Sequence, residues 1–187
     1  MPRPNWFFAF PLDGAFVETL PELPVGFRRY HPDDVHLTLA FLGGCGEAGA
    51  ERALAVLDEL LPQSQQPPIA VSLGHIAAMG PKGRYSALSA LLERGRAETE
   101  AFMAQFCDPL LLAATGRRER RKPKAHVTLA RPRHRATDAQ REAGLAWAES
   151  VELGAVEALL DRIVLYTWSE NRAERLFRRV TERRLPG

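Results

Sequence analysis

The sequence predicts an α+β protein made of two similar halves, and three observations lead to this prediction. The pentad H-x-T-L-A occurs twice, at residues 36–40 and 126–130, half a chain apart. Both copies alternate polar and apolar residues, which is the period of a half-buried strand. Segments with the spacing of amphipathic helices lie between further strand-like runs. We therefore expect a single domain over residues 1–187, with two pseudo-symmetric lobes of antiparallel sheet, flanking helices and a central cleft.

The first half of the chain is punctuated by proline and glycine, which bound its predicted elements. These elements are a buried strand at 6–10, a short helix at 13–20, a candidate short strand at 27–30, a turn at 31–34, the first motif strand at 35–42 and an amphipathic helix at 47–61. Asp13 is a candidate N-cap of the short helix. Pro62 is expected to end the long helix, because proline removes a backbone donor.

The second half repeats the same kinds of element in a related order. They are a strand at 69–78, a hairpin turn at 79–83, a strand at 84–92, a helix at 96–112, the second motif strand at 126–130, a helix at 137–151 and strands at 158–166 and 175–181. Pro109 is a candidate early end of the second helix. Thr137 or Asp138 is expected to cap the third helix.

Each H-x-T unit places an imidazole and a hydroxyl side by side. On a strand, side chains at i and i+2 share one face, so His36 lies beside Thr38 and His126 beside Thr128. Histidine exchanges protons near neutral pH. Threonine hydroxyls donate hydrogen bonds to anionic oxygens. Two such units facing one cavity suit an in-line displacement at phosphorus, with one imidazole as base and the other as acid.

Three stretches give the chain a family resemblance. They are Phe7-Phe8-Ala9-Phe10-Pro11-Leu12, His36-Leu37-Thr38-Leu39-Ala40-Phe41-Leu42-Gly43 and His126-Val127-Thr128-Leu129-Ala130-Arg131. In this order and spacing, the sequence resembles the two-histidine (2H) phosphoesterase superfamily. Within it, the chain is similar to the LigT-like RNA 2′,3′-cyclic phosphodiesterases, which are also described as 2′-5′ RNA ligases.

The resemblance implies hydrolysis of RNA 2′,3′-cyclic phosphate ends to 2′-phosphates. That product requires the bond to the 3′-oxygen to break, and we expect His36 to be the proton donor to this oxygen and His126 to be the proton acceptor from water. Thr38 and Thr128 are expected to hold the phosphate. No cofactor or metal is needed for this chemistry, and the expected partner is an RNA or nucleotide that carries the cyclic phosphate.

Three more residues are candidates for substrate contacts. Lys124 and Arg131 flank the second motif, where residues 117–124 carry six basic residues against one acid. A local basic cluster favours an anionic substrate, although a solvated basic loop is an equal alternative. Strict alternation places Arg131 on the opposite strand face unless a bulge intervenes, so its role stays open. Tyr85 is a candidate for stacking on a base, and Phe10 is expected in the core.

Composition sets the general class. The net charge is only +2, and 45% of the residues are apolar, as in ordinary soluble globular proteins. Two cysteines, Cys45 and Cys107, form no paired motif. No apolar window is long enough to span a membrane, and the first residues do not form a signal peptide. We expect a cytoplasmic monomer.

Three alternatives remain at this level. The same site could run in reverse as an ATP-independent 2′-5′ RNA ligase. The chain could be an RNA- or nucleotide-binding module without turnover. A zinc site built on the two motif histidines is disfavoured, because clustered Cys or acidic ligands at zinc spacing are absent.

Overall fold

A computed structural model describes residues 3–154 and 156–186, and in this part of the chain it has four α-helices and nine β-strands. The strands are β1 (Trp6–Pro11), β2 (Phe27–Arg29), β3 (His36–Gly43), β4 (Ile69–Met79), β5 (Ala87–Arg94), β6 (His126–Pro132), β7 (Glu157–Leu160), β8 (Arg162–Trp168) and β9 (Phe177–Arg184). The helices are α1 (Phe16–Thr19), α2 (Glu47–Ser64), α3 (Arg96–Thr115) and α4 (Asp138–Ser150). The predicted α+β class is confirmed.

All nine strands belong to one antiparallel sheet. Eight of them follow the order β7-β4-β5-β6-β3-β1-β8-β9, and β2 pairs with β6 beside β3. The two predicted lobes are therefore the two halves of a continuous sheet, and the motif strands β3 and β6 are neighbours at its centre. No helix in the described ranges combines the length and the apolar character needed to cross a membrane.

The predicted strand 158–166 is in fact two strands at different places in the sheet. Residues before Asp161 form β7, which pairs with β4, and residues after it form β8, which pairs with β1. In the strand order, β7 and β8 are separated by five other strands. Because Asp161 alone connects them, the sheet must curl until these regions are adjacent, and the result is a half-barrel.

The main core lies on the face of this curled sheet that the helices cover. Helices α2 and α3 pack against each other, α3 contacts β3 and β4, and α4 contacts β4 and β5. Phe10 is fully buried and lies 5.7 Å from the Phe102 ring, which stacks on Phe106 at 4.3 Å. The alternate residues of both motifs, Leu37 and Val127 among them, point into this core and are fully buried.

Several predicted boundaries shift for identifiable reasons. The short helix is reduced to Phe16–Thr19, and Asp13 instead accepts a hydrogen bond from the N–H of Ala15. Pro62 does not end α2, because its ring lies in the last turn and the helix continues to Ser64. Pro109 lies inside α3, between Phe106 and Leu110, and both neighbours are buried in the core. The burial of Phe106 and Leu110 thus offsets the loss of the backbone hydrogen bond that Pro109 cannot donate.

Residues 137–140 start α4 as a capping box. The Thr137 hydroxyl accepts from the N–H of Gln140, and the Gln140 side chain accepts from the N–H of Thr137. The predicted Thr137 cap is thereby confirmed.

Gly144 is the point where α4 meets the sheet most closely. A Cβ at this position would collide with the Phe27 ring and lie 2.7 Å from the Tyr85 hydroxyl oxygen. We expect Gly144→Ala to lower the free energy of unfolding by about 1–3 kcal/mol, despite the better helix propensity of alanine, because overpacking a core forces its neighbours to move. Urea unfolding measures the change. Glu149→Ala, on the exposed side of α4, is the control and should change stability by less than about 0.5 kcal/mol. A stabilised Gly144→Ala protein would contradict this packing.

Candidate active site

The two H-x-T motifs meet at the centre of the sheet. Strand β3 pairs antiparallel with β6, and Leu37 lies opposite Val127. Continuing that register by one residue in each direction places His36 opposite Thr128, and Thr38 opposite His126. Directly opposed residues of an antiparallel pair share a face, and the four motif side chains therefore form a two-by-two array. All four are partly exposed, whereas Leu37 and Val127 point into the core.

The cleft opens because β3 and β6 separate at once. Within the described ranges, Leu37 and Val127 are the only residues through which the two strands pair. Farther along, β6 pairs on that same side with β2, where Arg28 lies opposite Arg131 and Arg29 lies opposite Ala130. The strands therefore diverge directly beyond the histidines, and the four side chains lie where the sheet splits.

Each motif strand also contains a β-bulge immediately after its threonine. In β3, Phe8 pairs with Ala40 while Ala9 pairs with Thr38, which leaves one extra residue in the ladder. In β6, Leu88 pairs with Ala130 while Ser89 pairs with Thr128, which again leaves one extra residue. A bulge reverses the alternation of faces beyond it.

The bulges bring two further side chains to the histidine face, Phe41 from β3 and Arg131 from β6. Phe41 is 53% exposed, which is unusual for a phenylalanine inside a sheet. The Arg131 guanidinium lies 5.6 Å from the centre of the Tyr30 ring, and Tyr30 in turn lies 6.4 Å from His36. Strict alternation would place Arg131 on the face opposite the histidine. The bulge instead places Arg131 on the histidine face, beside the array.

Both histidines are held by the same backbone contact. Nδ1 of His36 lies 2.6 Å from the carbonyl oxygen of Asp34, and Nδ1 of His126 lies 2.6 Å from the carbonyl oxygen of Lys124. A carbonyl can only accept, so Nδ1 carries the proton in each ring. The Nε2 atom of each neutral imidazole is left as the nitrogen that can take up a proton.

His36 lies in an aromatic environment. Its ring centre is 4.8 Å from Phe7, 5.7 Å from Tyr166 and 5.5 Å from Phe177. Burial among these rings lowers the pKa of His36 to about 4, while the hydrogen bond to the Asp34 carbonyl opposes the shift. The nearby charges of Arg131 and His126 lower the pKa further.

His126 has a more polar environment. Burial is the main cause that lowers its pKa, and the hydrogen bond to the Lys124 carbonyl opposes this effect. The charges of Lys124 and Arg131 also lower the pKa of His126, which places both cations near the ring. In the unliganded protein, both imidazoles are therefore mainly neutral at pH 7.

Two polar residues that support the site, Ser89 and Asp34, were not identified from the sequence, and neither were the aromatic residues around His36. Ser89 is fully buried, and its Oγ lies 3.2 Å from Oγ1 of Thr128, so it fixes that hydroxyl. The only signal for Ser89 in the sequence is that this polar residue lies inside an apolar run. Asp34 was read as part of a turn, but its buried carboxylate accepts from the N–H groups of Leu176 and Phe177 at 2.8 and 3.1 Å. Asp34 thereby holds Phe177 over His36.

The structure contradicts the prediction that Tyr85 stacks on a base. Only 4% of it is exposed, because its ring stacks on Phe27 and its hydroxyl donates to the Arg141 carbonyl at 2.7 Å. It is therefore a packing residue between β5 and α4, and its ring has no free side for a base. Within the described residues, no group of three or more His, Cys, Asp or Glu side chains is placed to hold a metal ion.

The low pKa of His36 can be tested directly by NMR. Because the folded-state pKa lies below the usual 6.5, His36 is expected to stay neutral from pH 8 to about 5 and to take up a proton only as the pH falls toward 4. The stability it contributes is complete above pH 6.5 and falls as the pH drops from there toward 4. Imidazole ¹H–¹⁵N spectra, assigned with His36→Gln, should show the Nδ1–H tautomer. A midpoint near 6.5 would contradict the burial of this ring.

Asp34 and Asp33 form a matched pair for a stability test. Asp34→Ala leaves two partly buried backbone N–H groups without their carboxylate acceptor, and we expect it to lower the free energy of unfolding by about 2–4 kcal/mol. Asp33 is exposed and pairs with Arg175, so Asp33→Ala should cost less than about 1 kcal/mol. Urea unfolding compares the two variants. Equal losses would show that the Asp34 carboxylate does not hold the β8–β9 connection.

Comparison with known proteins supports the architecture. No protein-family model and no curated protein sequence matches this chain. Its structure is similar to that of E. coli LigT in complex with 3′-AMP, with a TM-score of 0.71 and 18% sequence identity over 100% of both chains. Crystal structures of E. coli LigT with NADP⁺, ATP and phosphate also match.

A second similar structure is the protein TT0787 of Thermus thermophilus, with a TM-score of 0.67 and 21% identity over 98% of both chains. At these identities the similarity establishes the fold. The chain therefore has the LigT-like fold that its two H-x-T motifs predict.

Proposed function

We propose that the protein is a two-histidine phosphoesterase that hydrolyses the 2′,3′-cyclic phosphate ends of RNA to 2′-phosphates without a metal. The observation that carries the proposal is the two-by-two array of His36, Thr38, His126 and Thr128 at the point where the sheet splits. Two imidazoles that each keep Nε2 available can serve as base and acid on opposite sides of one phosphorus atom. The two hydroxyls can hold its non-bridging oxygens.

The proposed step is an in-line attack of water on phosphorus. The water proton passes to Nε2 of His126 as the new P–O bond forms. The bond between phosphorus and O3′ breaks, and Nε2 of protonated His36 gives its proton to O3′. The phosphate stays on O2′, and proton exchange with solvent restores both imidazoles.

The surroundings of the two rings support this assignment. Three aromatic rings lie within 6 Å of His36, and a cation at that distance from an aromatic face gains about 0.5–2 kcal/mol. A bound phosphate anion further favours the protonated form. Together these effects oppose the burial that keeps His36 neutral in the free protein, so we expect the pKa of His36 to rise when the substrate binds. The charge of Arg131 favours the neutral form of both imidazoles, and the charge of Lys124 acts in addition on His126, the proposed base.

The residues beyond the bulges suit a nucleotide. The Arg131 guanidinium lies close enough to both histidines to affect their pKa values, and it can neutralise the charge that develops on the phosphate. Phe41 offers an exposed ring in the cleft, and base stacking on such rings contributes about 1–3 kcal/mol per base. The crystal structures of E. coli LigT with 3′-AMP and with phosphate support a nucleotide phosphate as the ligand of this fold.

The test uses EDTA-treated protein and an oligonucleotide that ends in a 2′,3′-cyclic phosphate. We expect a 2′-phosphate product, identified by mass and phosphatase mapping. His36→Ala and His126→Ala should each lower kcat by about 10²–10⁴-fold, because each removes a positioned acid or base. His75→Ala, an exposed histidine of β4, is the control and should retain full activity.

Each other outcome has a defined meaning. Near-full activity of His36→Ala would contradict the two-histidine mechanism. A 3′-phosphate product would contradict the assigned direction of proton transfer. A parallel reaction with added 5′-hydroxyl RNA separates hydrolysis from ligation, and joined 2′-5′ ends in place of hydrolysis would identify a ligase. Binding without turnover would identify a binding module.

A further inference from the structure

One wall of the cleft carries three arginines, which we call the arginine wall: Arg28, Arg131 and Arg172. Arg28 on β2 lies directly opposite Arg131 on β6. Like charges directly opposed across a sheet are destabilising. None of the three forms an ion pair with a carboxylate of the described residues. An uncompensated pair of opposed cations at the edge of a cleft is suited to an anionic ligand.

The third arginine is joined to this pair by contacts from the β8–β9 connection. Nη2 of Arg28 donates to the carbonyl oxygen of Arg172 at 3.1 Å. The Arg172 guanidinium lies over the Trp168 ring, 4.1 Å from its centre. A planar guanidinium held on an aromatic ring is oriented for contact with phosphate and can itself stack on a base.

The arginine wall surrounds Tyr30 next to the catalytic array. Burial raises the pKa of Tyr30, and three guanidinium charges oppose that rise. They belong to Arg28, Arg131 and Arg172, so all three lie near its hydroxyl. The Tyr30 ring is 6.4 Å from His36. The wall therefore starts at the histidines with Arg131 and leads away from them through Arg28 to Arg172.

A cyclic phosphate end limits where the rest of an RNA can go. Its 2′- and 3′-oxygens are both bound to the reacting phosphorus, so the strand continues only from the 5′-oxygen. The nearest additional anion is therefore the phosphodiester that precedes the terminal nucleotide. A free cyclic mononucleotide lacks this group.

We propose that Arg28 and Arg172 bind the phosphodiester that precedes the terminal nucleotide, so that an RNA strand is preferred over a free cyclic nucleotide. This inference rests on the function proposed above. Arg131 serves the reacting phosphate, and the Arg172–Trp168 stack provides a platform for the adjacent base.

The basic segment 117–124 is a weaker candidate for the same task. The Arg121 guanidinium is engaged by the Glu119 carboxylate, and Arg118 lies 3.6 Å from Asp108. These contacts neutralise part of the segment internally. Its Lys124 lies near His126, where Arg131 also lies, but Lys124 is not among the charges that act on Tyr30.

The experiment compares two substrates and four proteins. The substrates are 2′,3′-cyclic AMP and a trinucleotide that ends in the same group. The proteins are the wild type, Arg172→Ala, the double variant Arg28→Ala/Arg172→Ala, and Arg178→Ala. Arg178 lies on the same hairpin, exposed between Phe177 and Arg179, so strand alternation directs it away from the cleft. It is the control for loss of one positive charge.

We expect the double variant to lose about 10–100-fold in kcat/KM on the trinucleotide, mainly through KM, because charge-assisted contacts to one phosphate are lost. Its kcat/KM on the mononucleotide should stay within about twofold of wild type. For the trinucleotide, the slope of log(kcat/KM) against the logarithm of the salt concentration should decrease in magnitude by about 0.7. This is the value expected for the loss of one phosphate contact of a single strand. Arg172→Ala keeps the backbone carbonyl to which Arg28 donates. It should therefore show a smaller loss of kcat/KM on the trinucleotide than the double variant.

Binding of a labelled trinucleotide with a 2′-phosphate end, followed by fluorescence anisotropy, tests the subsite without turnover. We expect about tenfold weaker binding or more in the double variant and no change in Arg178→Ala. If wild type hydrolyses neither substrate, the proposed function fails, while the anisotropy result still decides the subsite. Equal losses on both substrates, unchanged trinucleotide binding in the double variant, or the same loss in Arg178→Ala would each overturn the subsite.

Discussion

The single pairing of Leu37 with Val127 is the constraint on which the site depends. Both side chains are fully buried on the core face, which fixes the register because a slip of one residue would move polar side chains into the core. That register sets each histidine opposite the threonine of the other motif. Because the two strands pair nowhere else in the described part of the chain, the sheet splits beside this contact. The same interaction that joins the motifs therefore also defines the floor of the cleft.

The two halves repeat their geometry but not their surroundings. Each motif has a histidine held through Nδ1 by the carbonyl two residues earlier, followed by a threonine and a bulge. The residue that the bulge turns into the cleft is Phe41 in one half and Arg131 in the other. His36 lies among aromatic rings and close to Arg131, whereas His126 lies close to Lys124 and Arg131, so a near-symmetric backbone holds two imidazoles in different surroundings. The proposed reaction needs one of these imidazoles neutral and the other protonated.

The β8–β9 connection links the array of motif side chains to the wider cleft. The Asp34 carboxylate holds the N–H groups of Leu176 and Phe177, while its backbone carbonyl fixes His36. Arg28 holds the same connection through the carbonyl of Arg172. The Asp34 contacts place the Phe177 ring over the histidine, and the Arg28 contact holds the segment that carries the Arg172 guanidinium at the cleft edge. The aromatic contact of His36 and the arginines proposed to recognise the strand therefore depend on the same segment of the chain.

The sequence by itself determined the α+β class, the main helices and strands, and the four polar residues of the two motifs, because period-two alternation and a repeated pentad are local signals. Only the tertiary structure decided which strands are neighbours, and it split the predicted strand 158–166 at Asp161. It also brought Arg131 to the histidine face through a bulge and buried Tyr85 in the core. Ladder register, bulges and contacts between distant segments depend on packing across the whole sheet, and no local pattern encodes them.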